Sequence, residues 1–470
     1  MSSPFDLLIT NADIVTASDR FTSDIGVRDG KIVALGHDLG EAEQVVDATG
    51  LLTLPGGVDA HCHLDQPMEF GLRMADDFSS GSRSAACGGT TTLIPFAAQA
   101  KGQSLRAAVQ DYHSRAQGKS CLDYAFHMIV SDPSPQVLST ELPALIDEGY
   151  TSFKIYMTYD DLKLNDRQIL EVLDVARRGG ALVMVHAENS DCISWLTDRL
   201  VSEGNTAPRF HAVSRPQAVE REATHRAITF SELVDVPILI VHVSGSEAIE
   251  QIRWAHGRGQ RIYAETCPQY LYLTAEDLGH EGHDGYEGAK CVCSPPPRDA
   301  SNQEAVWRAL AHNVFSVFSS DHAPFSFDDP QGKKLNGKEQ KFQYIPNGIP
   351  GLETRLPLLF SGGVNGGRIS LHQFVAMTST QPAKLYGLYP RKGSIMIGAD
   401  ADIVLWDPKR QVQIRNQDLH HNVDYTPYEG RTVTGWPMMT FSRGRLVSKD
   451  FQFTGQAGAG EFMPCGKPIL

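Results

Sequence analysis

The chain has 470 residues, of which 41% are hydrophobic and 21% are charged, and its formal net charge is −14. This composition is typical of a folded protein, and the length exceeds one ordinary hydrophobic core, so we expect two structural units. The negative charge disfavours nucleic acids and acidic membrane surfaces as partners.

The first ten residues contain neither the basic region nor the long apolar region of a signal peptide. No apolar run approaches the roughly 20 residues that cross a bilayer. We therefore expect a cytoplasmic protein without a membrane partner. Its eight cysteines form no Cys-x-x-Cys pair, so we expect reduced and mostly buried thiols.

Both ends of the chain read as short β-strands. Asp29-Gly30 separates two apolar runs with the spacing of a β-hairpin. A similar pattern returns at residues 401–406 and 433–447. The two ends are therefore expected to pair as one small all-β unit.

The middle of the chain alternates strand-like and helix-like segments. The pattern favours a parallel sheet closed into a barrel. An open doubly wound sheet is the rival, but it would carry a glycine-rich phosphate loop after its first strand, where this chain has histidines. The eight predicted strands are Val58–Leu64, Thr90–Ala97, Asp123–Ser131, Ser152–Thr158, Leu182–Glu188, Ile238–Ser244, Arg261–Cys267 and Phe315–Ala323. Apolar residues at spacings of three and four predict helices at Asp166–Arg178, Glu247–His256 and Gln303–His312.

The pair His61-x-His63 lies at the end of the first predicted barrel strand. Side chains at positions i and i+2 of a strand point to the same face, so the two imidazoles can bind one divalent metal ion. The pair alone is weak support, because a chain with 17 histidines produces this spacing by chance.

Four more polar residues interrupt apolar runs near the ends of other strands. A single buried histidine is more often a hydrogen-bonded core residue than a ligand, and a lysine in a strand usually reaches solvent. The barrel, however, brings the carboxyl ends of all its strands to one rim, and this predicts one shared metal site. The four residues are Lys154, His186, His242 and Asp321.

Lys154 does not fit a metal site as an ammonium ion, because a buried cation would repel the metal and lose its hydration. Carbamylation by CO2 would convert the amine into a carboxylate whose two oxygens can bridge two metal ions. We take this conversion as a hypothesis.

Eight motifs together resemble those of the dihydropyrimidinase/hydantoinase family of cyclic amidohydrolases, over essentially the whole chain. They are Gly56–His63, Ala86–Thr91, Phe153-Lys154, His186–Asn189, His242–Ser244, Cys293–Pro296, Ser320–His322 and Pro346–Gly348. The resemblance implies a (β/α)8 TIM-like barrel with a small β-sandwich domain formed from both chain ends. The expected bounds are 1–54 and 388–470 for the sandwich and tail, and 55–387 for the catalytic barrel.

The same resemblance implies two divalent metal ions, expected to be zinc. One ion would be bound by His61, His63 and Asp321, and the other by His186 and His242. Lys154, as N6-carboxylysine, would bridge them.

The implied reaction is ring-opening hydrolysis of a 5,6-dihydropyrimidine or a 5-substituted hydantoin to the N-carbamoyl amino acid. A metal-bridging hydroxide would attack the ring carbonyl, with Asp321 as general base and then general acid. Tyr159 would bind substrate and donate to the oxyanion. Ser294 and Asn347 would hold the substrate's amide edge, largely through backbone groups.

Other functions remain open at this point. Within the same class, the chain could be an allantoinase or another cyclic imide hydrolase. In a different class stands a non-catalytic dihydropyrimidinase-related scaffold, but such relatives have lost metal ligands and this chain keeps all six. A serine hydrolase is disfavoured because no Gly-x-Ser-x-Gly occurs.

Several details leave the natural substrate and stereochemical preference undecided. Cys62 lies between the two histidines, and Ala323 follows Asp321-His322 where a cysteine is common. We expect His322 to be structural, and His280 and His283 to be solvated. The loop Asp65–Ser80 is expected to line the pocket for the substrate's exocyclic group through Met68, Phe70, Leu72 and Met74.

The family implies a homotetramer. The tail from Phe451 to Leu470 lacks a strong core pattern, and we expect it to be available to a neighbouring subunit.

Overall fold

The computed structural model describes residues 4–68, 71–280, 282, 285–335 and 341–470. Two residues named above, Phe70 and His283, lie outside these ranges.

The chain begins with five strands. The predicted hairpin is confirmed: Asp29 and Gly30 connect the second strand to the third, and both residues have positive φ, as a tight hairpin turn requires. The strands are β1 Phe5–Val15, β2 Arg20–Arg28, β3 Lys31–Gly36, β4 Ala42–Asp47 and β5 Leu52–Pro55.

Nine further strands form the barrel sheet. They are β6 Gly57–Cys62, β7 Thr90–Ala98, β8 Asp123–Tyr124, β9 His127–Ile129, β10 Ser152–Tyr156, β11 Leu182–His186, β12 Ile238–Ile240, β13 Ile262–Thr266 and β14 Val317–Phe318. Hydrogen-bonded neighbours follow the order β6-β7-β9-β10-β11-β12-β13-β14, with β8 also beside β7, and each pair is parallel. The predicted run Asp123–Ser131 is thus two short strands, β8 and β9.

Arg355 helps to close the sheet into a barrel. Its buried guanidinium donates to Val58 O in β6 and to Phe318 O in β14, at 3.3 and 2.8 Å. A parallel bridge between Cys62 and His322 joins the same two edges. The prediction of a barrel rather than an open sheet is confirmed.

Helices connect the strands, and the three predicted helices are confirmed to within a few residues. Asn165 caps α4, where its side chain accepts from Gln168 N–H, and Gly180 ends it with a φ of 71°. The α-helices are α1 Phe78–Cys87, α2 Leu105–Ala116, α3 Leu142–Asp147, α4 Asp166–Gly179, α5 Ser190–Ser202, α6 Phe210–Ser214, α7 Gln217–Val234, α8 Ser246–Gly257, α9 Gln269–Tyr272, α10 Ala300–Ala311, α11 Arg355–Leu359, α12 Leu371–Val375 and α13 Gln381–Leu385. Short 3-10 or π turns lie at Val137–Glu141, Ala275–Gly279, Glu287–Cys291, Phe342–Tyr344, Phe360–Asn365, Ala376–Thr380 and Asn416–Asp418.

Side chains of the barrel strands alternate between two hydrophobic clusters. In β11, Leu182 and Met184 lie in the cluster inside the barrel, whereas Val183 and Val185 pack against the helices outside. This alternation has the two-residue period of a strand. The residue that continues the inner row of β11 is His186, at the strand's carboxyl end.

The chain ends with four strands that join the first five in one mostly antiparallel sheet. The predicted pairing of the two chain ends is confirmed, because the first C-terminal strand pairs with β5. The sheet order is β18-β17-β16-β15-β5-β1-β2-β3, with β4 also beside β1. Apolar residues of both ends, among them Ile9, Ile25, Ile403 and Phe441, form one core. The strands are β15 Ile403–Gln413, β16 Thr432–Ser442, β17 Arg445–Lys449 and β18 Gln452–Phe453.

The C-terminal tail packs on the barrel of its own chain, and its proposed contact with a neighbouring subunit stays a prediction. Met463 N–H donates to Tyr124 O at 2.7 Å, and Cys465 N–H donates to Gly149 O at 2.9 Å. Phe462 contacts the rings of Tyr124, Phe126 and other aromatic residues. The tail therefore covers the end of the barrel at which the strands begin.

All eight cysteines are free, and seven of them are buried. Within the described ranges, the structure contains no helix with the length and apolar character needed to cross a membrane.

Candidate metal centre and substrate site

The structure brings together the six residues predicted as metal ligands. Each is buried and lies in the carboxyl-terminal part of a barrel strand or within three residues after its end. His61 is in β6 and His63 follows it, Lys154 is in β10, His186 ends β11, His242 follows β12, and Asp321 follows β14.

A register irregularity in β6 turns both first-strand histidines into the barrel. Val58 and Ala60 belong to the inner cluster, whereas Cys62 belongs to the outer one. Regular alternation from Val58 would have directed His61 outward. The pairing of β6 with β7 is irregular between Asp59 and Cys62, and this shift changes the phase of the strand.

His61, His63 and Asp321 form a compact group of ligand atoms. Asp321 Oδ1 lies 3.2 Å from His61 Nε2 and 3.7 Å from His63 Nε2. One ligand atom from each of the three residues can be chosen such that all lie within 4.8 Å of one another. This donor set of two imidazoles and one carboxylate is one that Zn²⁺ and related divalent ions prefer.

Lys154 lies directly beside this group. Its Nζ is 2.8 Å from His61 Nε2, and it lies 4.5 Å from the Phe96 ring centre and 4.9 Å from that of Tyr156. Burial lowers the pKa of Lys154, while the negative charges of Asp321 and Glu265 oppose that effect. An amine in these surroundings is more readily neutral than a lysine at the surface.

His186 and His242 form the second half of the cluster. Nδ1 of His186 and Nε2 of His242 are 2.9 Å apart, and the two rings are nearly perpendicular, at 75°. His242 Nδ1 is buried and has no hydrogen-bond partner among the described residues. A buried polar atom without a partner is costly, and a bound ion that reorients the two rings would relieve this.

The protonation of the four histidines fits metal binding. Burial, joined by the positive charge of Lys154, lowers the pKa of His63 to about 3 and that of His61 well below its ordinary value. Burial also lowers the pKa values of His186 and His242. Neutral imidazoles have a free lone pair, so the four rings and the Asp321 carboxylate suit two cations.

Hydrogen-bonded partners orient three of the four imidazoles. Glu265 Oε1 lies 2.6 Å from His61 Nδ1, and Gln66 Oε1 lies 2.7 Å from His63 Nδ1. In both residues this contact leaves Nε2 directed at the cluster. Metal-binding histidines in proteins are commonly oriented in this way.

Sequence reasoning did not identify Glu265 or Gln66. Glu265 interrupts the apolar seventh strand, Ile262–Thr266, in the same way that Lys154 interrupts the fourth, and this signal was present. Gln66 lies in a loop and gave no comparable signal.

Glu188, within the motif His186–Asn189, orients His186. Its Oε2 accepts from His186 Nε2 at 2.7 Å and from Arg215 Nη1 at 2.8 Å. Burial alone would raise the pKa of Glu188, but Arg215 and His186 lower this pKa to about 2. A buried carboxylate held in its charged form fixes the Nε2–H tautomer of His186 and leaves Nδ1 free for a ligand.

The structure also brings together Tyr159, Ser294 and Asn347. Asn347 Nδ2 donates to the Tyr159 hydroxyl at 3.2 Å, and the Tyr159 ring lies 5.4 Å from the His186 ring. Burial raises the pKa of Tyr159, while Arg215 and hydrogen bonds with Ser294 and Asn347 oppose that rise. The tyrosine is therefore a protonated donor at neutral pH.

A cavity of about 280 Å³ lies next to this trio. Tyr159 and Asn347 line it together with Arg215, His211 and Phe342. Its size is near the lower end of the range for small-molecule sites.

Three residues of the cluster have positive φ angles that are uncommon for residues other than glycine. These are Tyr159 at 67°, His242 at 38° and Asp321 at 47°. Such conformations are disfavoured and are often found at functional sites. His242 lies two residues after β12, and Asp321 lies three residues after β14.

The loop after β6 packs against residues that follow Asp321 in the chain. Met68, Leu72 and Met74 contact Ala323 and Phe325 in a small apolar cluster. The predicted loop Asp65–Ser80 is slightly too long, because α1 begins at Phe78 and Asp77 is its N-cap.

Both ring nitrogens of His322 form hydrogen bonds with other residues of the protein. Nε2 lies 3.1 Å from Asp76 Oδ2, and Nδ1 accepts from Gly351 N–H at 3.1 Å. These contacts agree with a structural role. His280 pairs only loosely with Asp277, at 3.3 Å, and its side chain is 69% exposed.

A second group with metal-binding residue types is Cys87, Glu353 and His420. Here Glu353 accepts from both the backbone N–H and Nδ1 of His420, at 2.8 and 2.9 Å. Glu353 also raises the pKa of His420, and burial raises that of Cys87. The glutamate and histidine thus satisfy each other, and the cysteine is a protonated thiol.

Comparisons with known proteins agree with this architecture. Residues 52–447 match the family described as Amidohydrolase family. The chain is 45% identical to the D-hydantoinase of Ralstonia pickettii, over 97% of this chain and 98% of that protein. The chain belongs to the amidohydrolase family.

Solved structures resemble the whole molecule. The dihydropyrimidinase from Brevibacillus agri NCHU1002 superposes with a TM-score of 0.95 at 44% identity, covering 98% of this chain and 99% of that one. The L-hydantoinase (dihydropyrimidinase) from Arthrobacter aurescens gives 0.88 at 30% identity, covering 97% and 99%. Similar proteins are thus named for both D- and L-hydantoin hydrolysis.

Proposed function

We propose that this protein is a metal-dependent hydrolase that opens a cyclic amide ring, either a 5,6-dihydropyrimidine or a 5-substituted hydantoin, to give the N-carbamoyl amino acid. The observation that carries the proposal is the convergence of His61, His63 and Asp321, with ligand atoms within 4.8 Å, at the carboxyl rim of the barrel. Active sites of this fold lie at that rim. The full-length similarity to a D-hydantoinase and a dihydropyrimidinase supports the substrate class.

Two divalent cations are proposed at the centre, with zinc as the expected metal. His61, His63 and Asp321 would bind one of them, and His186 and His242 the other. When bound, the two cations would lower the pKa of a shared water and polarise the ring carbonyl.

Lys154 is proposed to bridge the cations as N6-carboxylysine. Carbamylation requires a neutral amine, and the lowered pKa of the buried Lys154 supports this. The contact of 2.8 Å between Lys154 Nζ and His61 Nε2 supports this role.

Asp321 is proposed to transfer the proton. Burial raises the pKa of its carboxyl group, and this favours a group that first accepts the proton of the attacking water and then returns it. The water oxygen forms a bond with the ring carbonyl carbon, the ring C–N bond breaks, and the proton passes from Asp321 to the departing nitrogen. The products are a carboxylate and a carbamoyl group on one open chain.

Tyr159, Ser294 and Asn347 are proposed to bind the substrate. The Tyr159 hydroxyl would donate to the oxyanion that develops on the attacked carbonyl. Backbone groups at Ser294 and Asn347 would hold the planar amide edge, which requires one donor and one acceptor in fixed places. The contact between Asn347 and Tyr159 supports one common binding site.

The apolar cluster of Met68, Leu72, Met74, Ala323 and Phe325 is proposed to contact the exocyclic substituent. Its position directly after Asp321 supports this assignment. An apolar wall of this kind favours hydrophobic substituents.

The test combines metal analysis with a substrate panel. Protein purified without chelator is expected to contain two metal ions per chain and to hydrolyse dihydrouracil, hydantoin or D- or L-5-substituted hydantoins. Allantoin and a cyclic imide complete the panel. Turnover of only these last two would favour the alternative activity, and a metal-loaded protein inactive on all would contradict the proposal.

We further propose that the protein is a homotetramer, as the family resemblance implies. Light scattering at several concentrations measures this separately from activity.

A further inference from the structure

Lys333 is a fully buried lysine outside the proposed metal cluster. Its Nζ donates two hydrogen bonds, to Val292 O at 2.8 Å and to Pro346 O at 2.7 Å. Both acceptors are backbone carbonyls of loops at the rim of the barrel. One lysine thus connects two segments that are 54 residues apart in the chain.

Two hydrogen bonds hold the main chain of Lys333 in place. Lys333 N–H donates to Ser326 O at 2.8 Å, and the Tyr286 hydroxyl donates to Lys333 O at 2.9 Å. In the part of the chain that the structure describes, no carboxylate forms an ion pair with Lys333. Burial lowers its pKa to about 7, with Cys293 and Cys291 opposing the change.

The two hydrogen bonds do not depend on the charge of the amine. An ammonium ion has three N–H donors and a neutral amine has two, which is the number that Val292 O and Pro346 O accept. The connection between the loops is therefore expected to persist on both sides of neutral pH.

The connected segments carry two of the proposed substrate contacts. Val292 lies two residues before Ser294, and Pro346 directly precedes Asn347. Gly348 N–H also donates to Val292 O, at 3.1 Å, so the two segments touch directly beside the lysine.

We propose that Lys333 is a positioning residue, which joins the main chain before Ser294 to the main chain before Asn347 and thereby sets the spacing of the substrate's amide-edge site. This inference rests on the proposed function of Ser294 and Asn347. A planar amide edge is recognised across a fixed gap, so a small change in spacing weakens both contacts at once.

Kinetics of Lys333→Met test the inference. Methionine keeps the length and apolar volume and removes both donors. We expect KM to rise about tenfold or more, kcat to stay within about threefold, and the metal content to stay unchanged, because binding to the amide edge is lost equally in the ground state and the transition state. The matched control is Lys334→Met at the adjacent lysine, which pairs with Asp328 and lies over the Phe327 ring, and KM should not change there.

An unchanged KM in Lys333→Met, or a loss confined to kcat, would overturn the inference while leaving the proposed function intact. Tyr286→Phe provides a milder variant should Lys333→Met fold poorly. It removes the hydroxyl that holds Lys333 O, and we expect a KM increase of about twofold to fivefold.

Amide hydrogen exchange tests the inference without any substrate. Peptides that cover residues 291–296 and 345–350 are expected to exchange at least about tenfold faster in Lys333→Met than in Lys334→Met. Equal exchange in the two variants would show that Lys333 does not hold the segments, whether or not the wild-type protein turns over the substrate panel.

Discussion

Lys154, in barrel strand β10, and Lys392, between α13 and β15, are both buried lysines, but their surroundings are opposite. At the carboxyl rim, Lys154 Nζ contacts an imidazole nitrogen of His61 and two aromatic rings. At the other end of the barrel, Lys392 Nζ lies 2.6 Å from Asp123, 2.8 Å from Asp402 and 3.0 Å from Asp400.

The pKa values change in opposite directions. Burial lowers the pKa of Lys154. Burial alone would also lower the pKa of Lys392, but Asp402, Asp123 and Asp400 together raise this pKa above the ordinary value.

The difference shows what a buried amine is suited for. Lys392 is a permanent cation whose charge is matched by carboxylates from the barrel and from the segment before β15, so it joins the two sheets. Lys154 has no such match, and its charge is costly where it stands. A neutral amine is nucleophilic, and it can react with CO2 and then serve as a metal ligand.

The largest expected effect comes from Lys154→Met. We expect activity to fall by about ten-thousandfold, or about 5 kcal/mol, because the proposed bridging ligand, and with it the proposed metal ions, would be lost. Metal content should fall in parallel. The unfolding free energy of the metal-free protein should not decrease, because the substitution removes an unmatched buried amine. Activity assays, elemental analysis and denaturant unfolding measure the three quantities.

A second substitution at the same position tests the carbamate itself. Lys154→Ala leaves space, and a short carboxylic acid such as acetate should restore part of the metal content and activity. A Lys154→Met protein with the wild-type metal content would contradict the bridging role.

Lys392→Met should give the reverse result. We expect the unfolding free energy to fall by about 3–5 kcal/mol, because three buried carboxylates lose their shared cation. The pKa of Lys392 is raised in the folded protein, so its stabilising effect is fully present at every pH below the ordinary lysine pKa. The full loss of unfolding free energy should therefore be measured at pH 7. The folded fraction should keep its metal content and kcat. Urea unfolding at low temperature measures the effect, and a loss of activity without a loss of stability would remove the contrast with Lys154.

The sequence was largely sufficient to predict which residues lie at the carboxyl rim, because the carboxyl ends of all strands meet there in any parallel barrel. His186 and Lys154 lie in register with inner residues of their own strands, so the two-residue period alone places them correctly. His61 was located for a partly wrong reason. Its inward direction depends on the irregularity of β6, which no residue pattern indicated.

The opposite end of the barrel was not predictable in the same way. The carboxylates around Lys392 come from positions 123, 400 and 402, and no local pattern connects them. The contacts of the tail were equally hidden from the sequence, since Phe462 packs against four aromatic rings that come from three other segments. Contacts between distant segments require the folded structure.

Tyr159→Phe separates chemistry from folding at the rim. We expect kcat to fall about a hundredfold, or about 3 kcal/mol, because the proposed donor to the oxyanion would be lost. Metal content and unfolding free energy should stay near the wild-type values, unlike those of either lysine variant. A change in KM alone would instead assign Tyr159 to substrate binding without a role in the chemical step.

The smallest effect is expected from Glu265→Gln. This substitution extends the comparison to a residue that orients one of the proposed metal ligands, His61. Glutamine keeps the shape of Glu265 but replaces the carboxyl group that faces His61 Nδ1 at 2.6 Å with an amide. Partners of this kind typically contribute about tenfold to a hundredfold in metal affinity, so competition with a chelator should show a loss of about 1–3 kcal/mol. The matched substitution is Glu353→Gln, which removes a comparable carboxylate–histidine contact far from the cluster and should leave metal affinity unchanged. Equal metal affinity in both variants would mean that Glu265 only fills a buried position, and that the buried amine of Lys154 alone distinguishes the rim from the other end of the barrel.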